Sequence, residues 1–239
     1  MRNNSMVFVM IMALLTACAN VTDEKNQGVP GTIESPTASV MPSPKSTEVK
    51  RSDNSVRAIG THPNGRLLIQ PAGNVIVAPL GAPSCYGLET DLSWSGDYEA
   101  VWESETAGTI SEVMAFPSDF EIIQPNDVPV EMQKFSMGDT DVFAFVPRYT
   151  DCHGLDTYLF GVTDGKAFHI TFEMKSGEVW LNIDQHPHKL IRSTKDELIV
   201  TGGYGAGQDT IDEFHFKYDS SKHSMILQKT NQLKPDDKG

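Results

Sequence analysis

The chain is short of cysteine, short of basic residues, and has no apolar run long enough to cross a bilayer as a helix. Of 239 residues, three are Cys, 19 are Lys or Arg and 32 are Asp or Glu, for a formal net charge of −13. So acidic a balance disfavours nucleic acid and anionic lipid headgroups as partners of the folded part. The longest apolar stretch, beginning at Met6, spans about ten residues, roughly half of what a spanning helix needs. There is no long amphipathic helical pattern, no Asp-x-Asp-x-Asp-Gly loop of the EF-hand type, and no fixed-period repeat from which propeller blades could be counted.

What is present at the N-terminus is an address. Arg2 is followed by the apolar run Met6-Val7-Phe8-Val9-Met10-Ile11-Met12-Ala13-Leu14 and then by Leu15-Thr16-Ala17-Cys18. This is the layout of a secretory signal, with the apolar run as its core. Leu15-Thr16-Ala17-Cys18 resembles the lipobox of bacterial lipoproteins, and the resemblance covers only this signal. It implies cleavage after Ala17, palmitate-type acylation through Cys18, and a lipid-anchored protein on the extracytoplasmic side of a cell membrane. Two or three acyl chains hold a protein on a bilayer without help from the rest of the chain.

Residues 1–17 are therefore read as signal peptide and 18–54 as the lipidated cysteine plus a disordered linker. That linker is rich in Ser, Thr, Pro and Asn, with Pro30, Pro36, Pro42 and Pro44 spaced through it. Such a segment buries too little apolar surface to offset its ordering entropy. Its random-coil span is about 30–35 Å. Residues 55–233 are read as one domain and 234–239 as a polar tail.

Within 55–233, short apolar runs are broken every eight to twelve residues or so by Gly, Pro, Asn or Asp, which predicts an all-β, antiparallel domain, either a sandwich or a propeller-like meander. The segment Ile110 to Phe116 also fits helical spacing but is read as strand. The clearest unit is Leu155 to Met174. Tyr158, Phe160 and Val162 precede a turn, and Phe168, Ile170, Phe172 and Met174 follow it, all at even positions. If one face of this hairpin is buried, even must pair with even, which selects a three-residue Thr163-Asp164-Gly165 loop over a two-residue Asp164-Gly165 turn. Phe214, Phe216 and Tyr218 alternate with Glu213, His215 and Lys217, which predicts a strand with one wet face.

With Cys18 committed to lipid, Cys85 and Cys152 are the remaining pair in an oxidising compartment, and a disulfide is expected between them. Other residue groups carry weaker chemical signals. His186-Pro187-His188 sets two imidazoles two residues apart, and a metal site would need His153, Asp184 or His169 to join them. Loop histidines without metal are the preferred reading, and no cofactor is expected. Cys152-His153 pairs a thiol with a base in sequence, but neighbours on an extended chain diverge. Gly202-Gly203-Tyr204-Gly205-Ala206-Gly207 lacks the following helix of a phosphate-binding loop and reads as a turn or bulge.

Carboxylates cluster at Asp91, Asp97, Glu99, Glu103 and Glu105, and at Asp139 and Asp141. They read as solvated surface unless a pair converges at a separation suited to glycoside hydrolysis. Trp94, Trp102 and Trp180, with Tyr86, Tyr149 and Tyr204, read mainly as packing, with a sugar or peptide groove as the alternative. The function expected is a non-enzymatic envelope binding module with an unknown extracellular or envelope ligand. The alternatives are an envelope hydrolase using paired carboxylates or a histidine metal site, and a structural part of an envelope complex.

Overall fold

Runs rich in β-branched and aromatic residues become strands wherever the chain is described. A computed structural model describes residues 50–175, 177–194 and 196–235, and no helix occurs among them. The signal segment 1–17, Cys18 and its lipobox, the linker as far as residue 49, and residues 236–239 lie outside the described residues.

The first sheet holds β1 (Arg51–Ser52), β2 (Ala58–His62), β3 (Gly65–Pro79), β4 (Leu92–Ser104), β5 (Thr109–Ala115), β6 (Phe120–Gln124) and β7 (Val130–Glu131). Its order is β5-β4-β3-β2-β7, with β1 on β3 and β6 on β4. The second sheet holds β8 (Gln133–Met137), β9 (Thr140–Phe145), β10 (Leu155–Thr163), β11 (Lys166–Glu173), β12 (Val179–Trp180), β13 (Ile183–Gln185), β14 (Arg192–Ser193), β15 (Leu198–Thr201), β16 (Ile211–Asp219) and β17 (Ser224–Leu233). Its order is β14-β15-β16-β17-β11-β10-β9-β8, with β12 on β11 and β13 on β10.

The all-β expectation holds, and Ile110 lies in a strand. Several details differ. The sheets are mixed, because β2 pairs parallel with β7 and β11 pairs parallel with β17. Each of those pairs is joined by a long excursion through intervening strands, which a parallel return requires and which local sequence does not reveal. Sheet pairing also starts at Arg51, opposite Val77, inside the segment read from composition as linker. Finally, the wet face expected for β16 is covered at two of its three residues: Glu213 and His215 are buried, while Lys217 is exposed. His215 Nδ1 lies 2.8 Å from Glu197 and Nε2 3.0 Å from Glu213, and Arg192 donates to Glu213 at 2.7 Å. Burial would raise the Glu213 carboxyl, but hydrogen bonds with His215 and Asn231 and the Arg192 charge outweigh it and hold it below its ordinary value.

The sheets meet at β9 and β10, which are buried on both faces. Phe143, Phe145, Tyr158, Phe160 and Val162 pack with Trp94, Trp102 and Ile69 of the first sheet. Val142, Ala144 and Leu159 point the other way, into a second core with Phe172, Leu198 and Phe216. This overturns the three-residue loop. Thr163 pairs with Lys166, leaving Asp164 (φ 52°) and Gly165 (φ 72°) as the turn. Two successive positive φ values are what a type I′ hairpin needs. Even therefore pairs with odd, and Tyr158, Phe160 and Val162 serve one core while Ile170 and Phe172 serve the other. Gly161 sits where Phe168 crosses the hairpin; a Cβ there would lie 2.4 Å from its ring.

Asp53 fastens the start of the domain to the first core. It accepts from Trp94 Nε1 at 2.7 Å and from the Ser55 hydroxyl at 2.6 Å. Burial opposes its ionisation, but the Ser55 and Trp94 hydrogen bonds and the Arg57 charge prevail and bring its pKa from 3.8 to about 2. A depressed carboxyl contributes stability above its unfolded pKa and loses it as pH falls through its folded pKa. Asp53→Asn is therefore expected to lower stability by roughly 2 kcal/mol at neutral pH. Urea midpoints of the two proteins should converge between about pH 5 and pH 2.

Candidate binding cleft at the disulfide-stapled end

Cys85 and Cys152 are joined, with Cα atoms 5.0 Å apart. The bridge ties the turn Ser84–Gly87 to the segment that leads into β10, and it leaves Cys152 no free thiol, so the thiol–base reading falls. β10 opens on Leu155 and pairs with β13 so that Asp156 stands opposite Asp184. Like charges facing each other across a ladder cannot both ionise freely. Burial, then the charge and hydrogen bond of Asp156, then Asp151, raise the Asp184 carboxyl, with only Arg148 opposing. Asn182 Nδ2 donates to Asp156 at 2.9 Å. Arg148 lies 3.5 Å from Asp156 and 3.3 Å from Asp151.

Asp156, Asn182 and Asp184 line a cavity of about 400 Å³ with Trp180, Gly202, Gly203 and Asp212. The glycines are explained by close packing. A Cβ on Gly203 would lie 2.6 Å from the His153 carbonyl, and the Tyr204 amide donates to that same carbonyl at 2.8 Å. β16, a strand, is the next element after the glycine loop, so no helix dipole is available for phosphate.

The six aromatics divide by position. Trp94 and Trp102 are core residues, whereas Trp180, Tyr86 and Tyr149 are 39%, 41% and 47% exposed. Arg148 lies over the Tyr86 ring at 4.5 Å while also facing Asp156, so one guanidinium joins an aromatic ledge to the acidic cleft. Tyr204 stacks on His186, with ring centroids 5.6 Å apart.

The histidines do not assemble a metal site. His186 Nδ1 accepts from the His188 amide at 3.1 Å, His169 Nε2 is bonded to the Leu181 carbonyl at 2.8 Å, and the His153 side chain is 71% exposed. Among the described residues no group of three His, Cys, Asp or Glu side chains converges to hold a metal ion. Within the acidic clusters flagged in sequence, Asp91 accepts from the Leu88 amide and Tyr149, Glu99 accepts from Gln70, Glu103 pairs with Arg66, and Asp141 pairs with Lys134. The sequence reading missed Asp156, Asn182 and Arg148. The one available signal was their closeness in sequence to Cys152 and to the exposed Trp180 strand.

No protein-family model, curated protein or solved structure matches this chain.

Proposed function

We propose that the chain is an envelope lipoprotein, anchored through acylated Cys18 on the extracytoplasmic side of a membrane, whose β domain binds a polysaccharide of the envelope without cleaving it. The observation that carries this reading is the convergence of exposed Trp180 with Asn182, Asp156 and Asp184 around one cavity. An exposed indole offers a flat apolar face to a sugar ring, and planar carboxyl and amide groups beside it satisfy hydroxyls. The lipobox supports the anchor, and no helix among the described residues is long and apolar enough to cross a membrane.

The hydrolase alternative draws on the same acid pair, and the engagement of its two members with each other favours binding instead. Asp156 and Asp184 are in hydrogen-bond contact. Glycoside hydrolysis instead sets its carboxyls about 5 Å apart for retention and about 6.5–9.5 Å apart for inversion. A pair that shares one hydrogen bond leaves no room for a sugar or a water between its members.

Binding is tested with the acylated full-length protein in detergent, by sedimentation with purified peptidoglycan and calorimetry with soluble N-acetylglucosamine oligomers. Trp180→Ala is expected to weaken binding at least about tenfold, with Asp184→Asn weaker than wild type. Affinity indifferent to Trp180 sinks the cleft assignment. The anchor is tested separately: Cys18→Ser should abolish labelling by a palmitate analogue and release the protein from membranes.

A further inference from the structure

Asp156 and Asp184 project from neighbouring strands at directly opposed positions of the β10–β13 ladder, and both line the cleft. Residues so opposed have Cβ atoms about 4.5–5.5 Å apart, close enough for two carboxyls to meet. They are in hydrogen-bond contact, which two carboxyls achieve only when one of them carries a proton. Asp156 has little acceptor capacity to spare: one oxygen takes Asn182 Nδ2 at 2.9 Å and the other faces Arg148 at 3.5 Å. Asp184 is exposed to the cleft, while its neighbours Ile183 and Gln185 are buried. A ligand therefore reaches the pair through Asp184.

The charges around Asp184 do not balance. Asp156 and Asp151 face it from β10 and the segment before it, and Asp212 lines the same cavity from β16. Arg148 opposes them but is divided between Asp151 at 3.3 Å and Asp156 at 3.5 Å. Burial and the two neighbouring acids hold the Asp184 carboxyl above its ordinary 3.8. Other titratable groups stand close by. Tyr158 of β10, beside Asn182, is pushed up to about 12 by burial and stays neutral. His169 of β11 is bonded to the Leu181 carbonyl, and burial brings it below its ordinary value. His153 is exposed next to Gly154, which packs beside Asp184, and His186 stacks on Tyr204.

A sugar brings hydroxyl donors to this pair. Hydrogen bonds donated to an ionised carboxylate are roughly twice as strong as those donated to a neutral carboxyl. Water lost from the pair pulls the other way, but the hydroxyls take its place as donors. We propose that sugar binding at the cleft is coupled to release of the proton shared by Asp156 and Asp184, so that the protein holds its polysaccharide more tightly in neutral surroundings than in acid. This rests on the reading of the cleft as a sugar site. The proton passes to solvent, and no covalent bond of the sugar changes. By linkage, affinity rises with pH while the free pair keeps its proton and levels off once that proton is gone. The window opens near the ordinary 3.8 and closes at the raised value.

The test is calorimetry on the acylated full-length protein in detergent with N-acetylglucosamine oligomers, which have no group that titrates in the range used. Titrations run from about pH 4 to pH 7.5, in pairs of buffers that differ in ionisation enthalpy. Affinity is expected to rise about three- to tenfold over that range, and the buffer-dependent heats should show net proton release at its acid end. Asp184→Asn keeps a hydrogen bond to Asp156 without a proton to lose, so its affinity, weaker than that of wild type at neutral pH, should not change with pH. Asp156→Asn removes the opposed acid, returns Asp184 towards its ordinary value and should flatten the profile as well. An affinity that is constant or falls as pH rises, or a slope that persists in Asp184→Asn, overturns the proposal and leaves the cleft reading standing, since Trp180→Ala tests that reading at any single pH. Oligomers that bind at no pH sink both.

Discussion

Arg57→Ala is expected to destabilise the domain by about 3–4 kcal/mol, and Arg57→Met by roughly half as much. Arg57 is fully buried, its guanidinium lies over Trp94 at 4.3 Å, and its Nη1 faces Asp127 at 3.2 Å. Two effects compete for the credit. Asp127 is 47% exposed, so its attraction is screened by water and is worth on the order of 1 kcal/mol or less. The stem and the stacked guanidinium fill a volume in the first core that alanine leaves empty, and partial collapse does not recover it. Methionine keeps most of that volume, frees Asp127 into water and removes Nη2, a buried donor with no partner, but it also takes a donor from Gln124 Oε1 and from the Val56 carbonyl and a positive charge from beside Asp53. Backbone pairing at residue 57, from its amide to Ile69 and from Val130 to its carbonyl, is untouched by either change. Urea midpoints for the two variants check the ordering; a methionine variant as weak as the alanine one would put the ion pair first.

The strands were legible because period two survives almost everywhere in residues 51–233, and the disulfide was legible because one lipidated cysteine leaves one pair. What failed depended on premises that only the tertiary structure supplies. Choosing the loop of the β10–β11 hairpin assumed one buried face, and β10 has two; the Asp164-Gly165 dipeptide, a strong type I′ signal in its own right, was the better guide. Glu213 and His215 of β16 were read as wet because their partners Glu197, Arg192 and Asn231 lie elsewhere in the chain. β6, five residues closed off by Pro117 and Pro125, is too short for a period of two to mark it.

The cleft illustrates the same limit. Trp94, Trp102 and Trp180 are indistinguishable by type, and only packing sorts two of them into the core and one to the surface. Asp156 and Asp184 are ordinary acids in an acidic chain until the β10–β13 register sets them opposite each other. Charge density along the sequence pointed instead to Glu99, Glu103 and Asp91, which the fold uses for Gln70, Arg66 and the turn at Leu88.

Replacing both Cys85 and Cys152 by Ser is expected to lower stability by about 4 kcal/mol and to weaken binding at the cleft. The first part follows from chain entropy: the bridge closes a loop with a sequence separation of 67, and opening it returns roughly 4 kcal/mol of freedom to the unfolded state. Because the effect lies in the unfolded chain, the dependence of stability on urea should steepen as that state expands. The second part follows from what the staple holds. Next to Cys152, the His153 carbonyl receives the Tyr204 amide and abuts Gly203, a residue of the cavity wall. On the other side, Asp151 holds Arg148, which faces Asp156 and lies over Tyr86, itself next to Cys85. Both walls of the cleft thus lead back to the two cysteines within a few contacts. Reduction should then cost affinity under conditions where the domain is still folded, as read by calorimetry beside near-ultraviolet circular dichroism. If affinity holds while stability falls, the hydrogen bond to the His153 carbonyl and the ion pairs of Arg148 position the loops unaided, and the bridge serves only to restrict the unfolded chain.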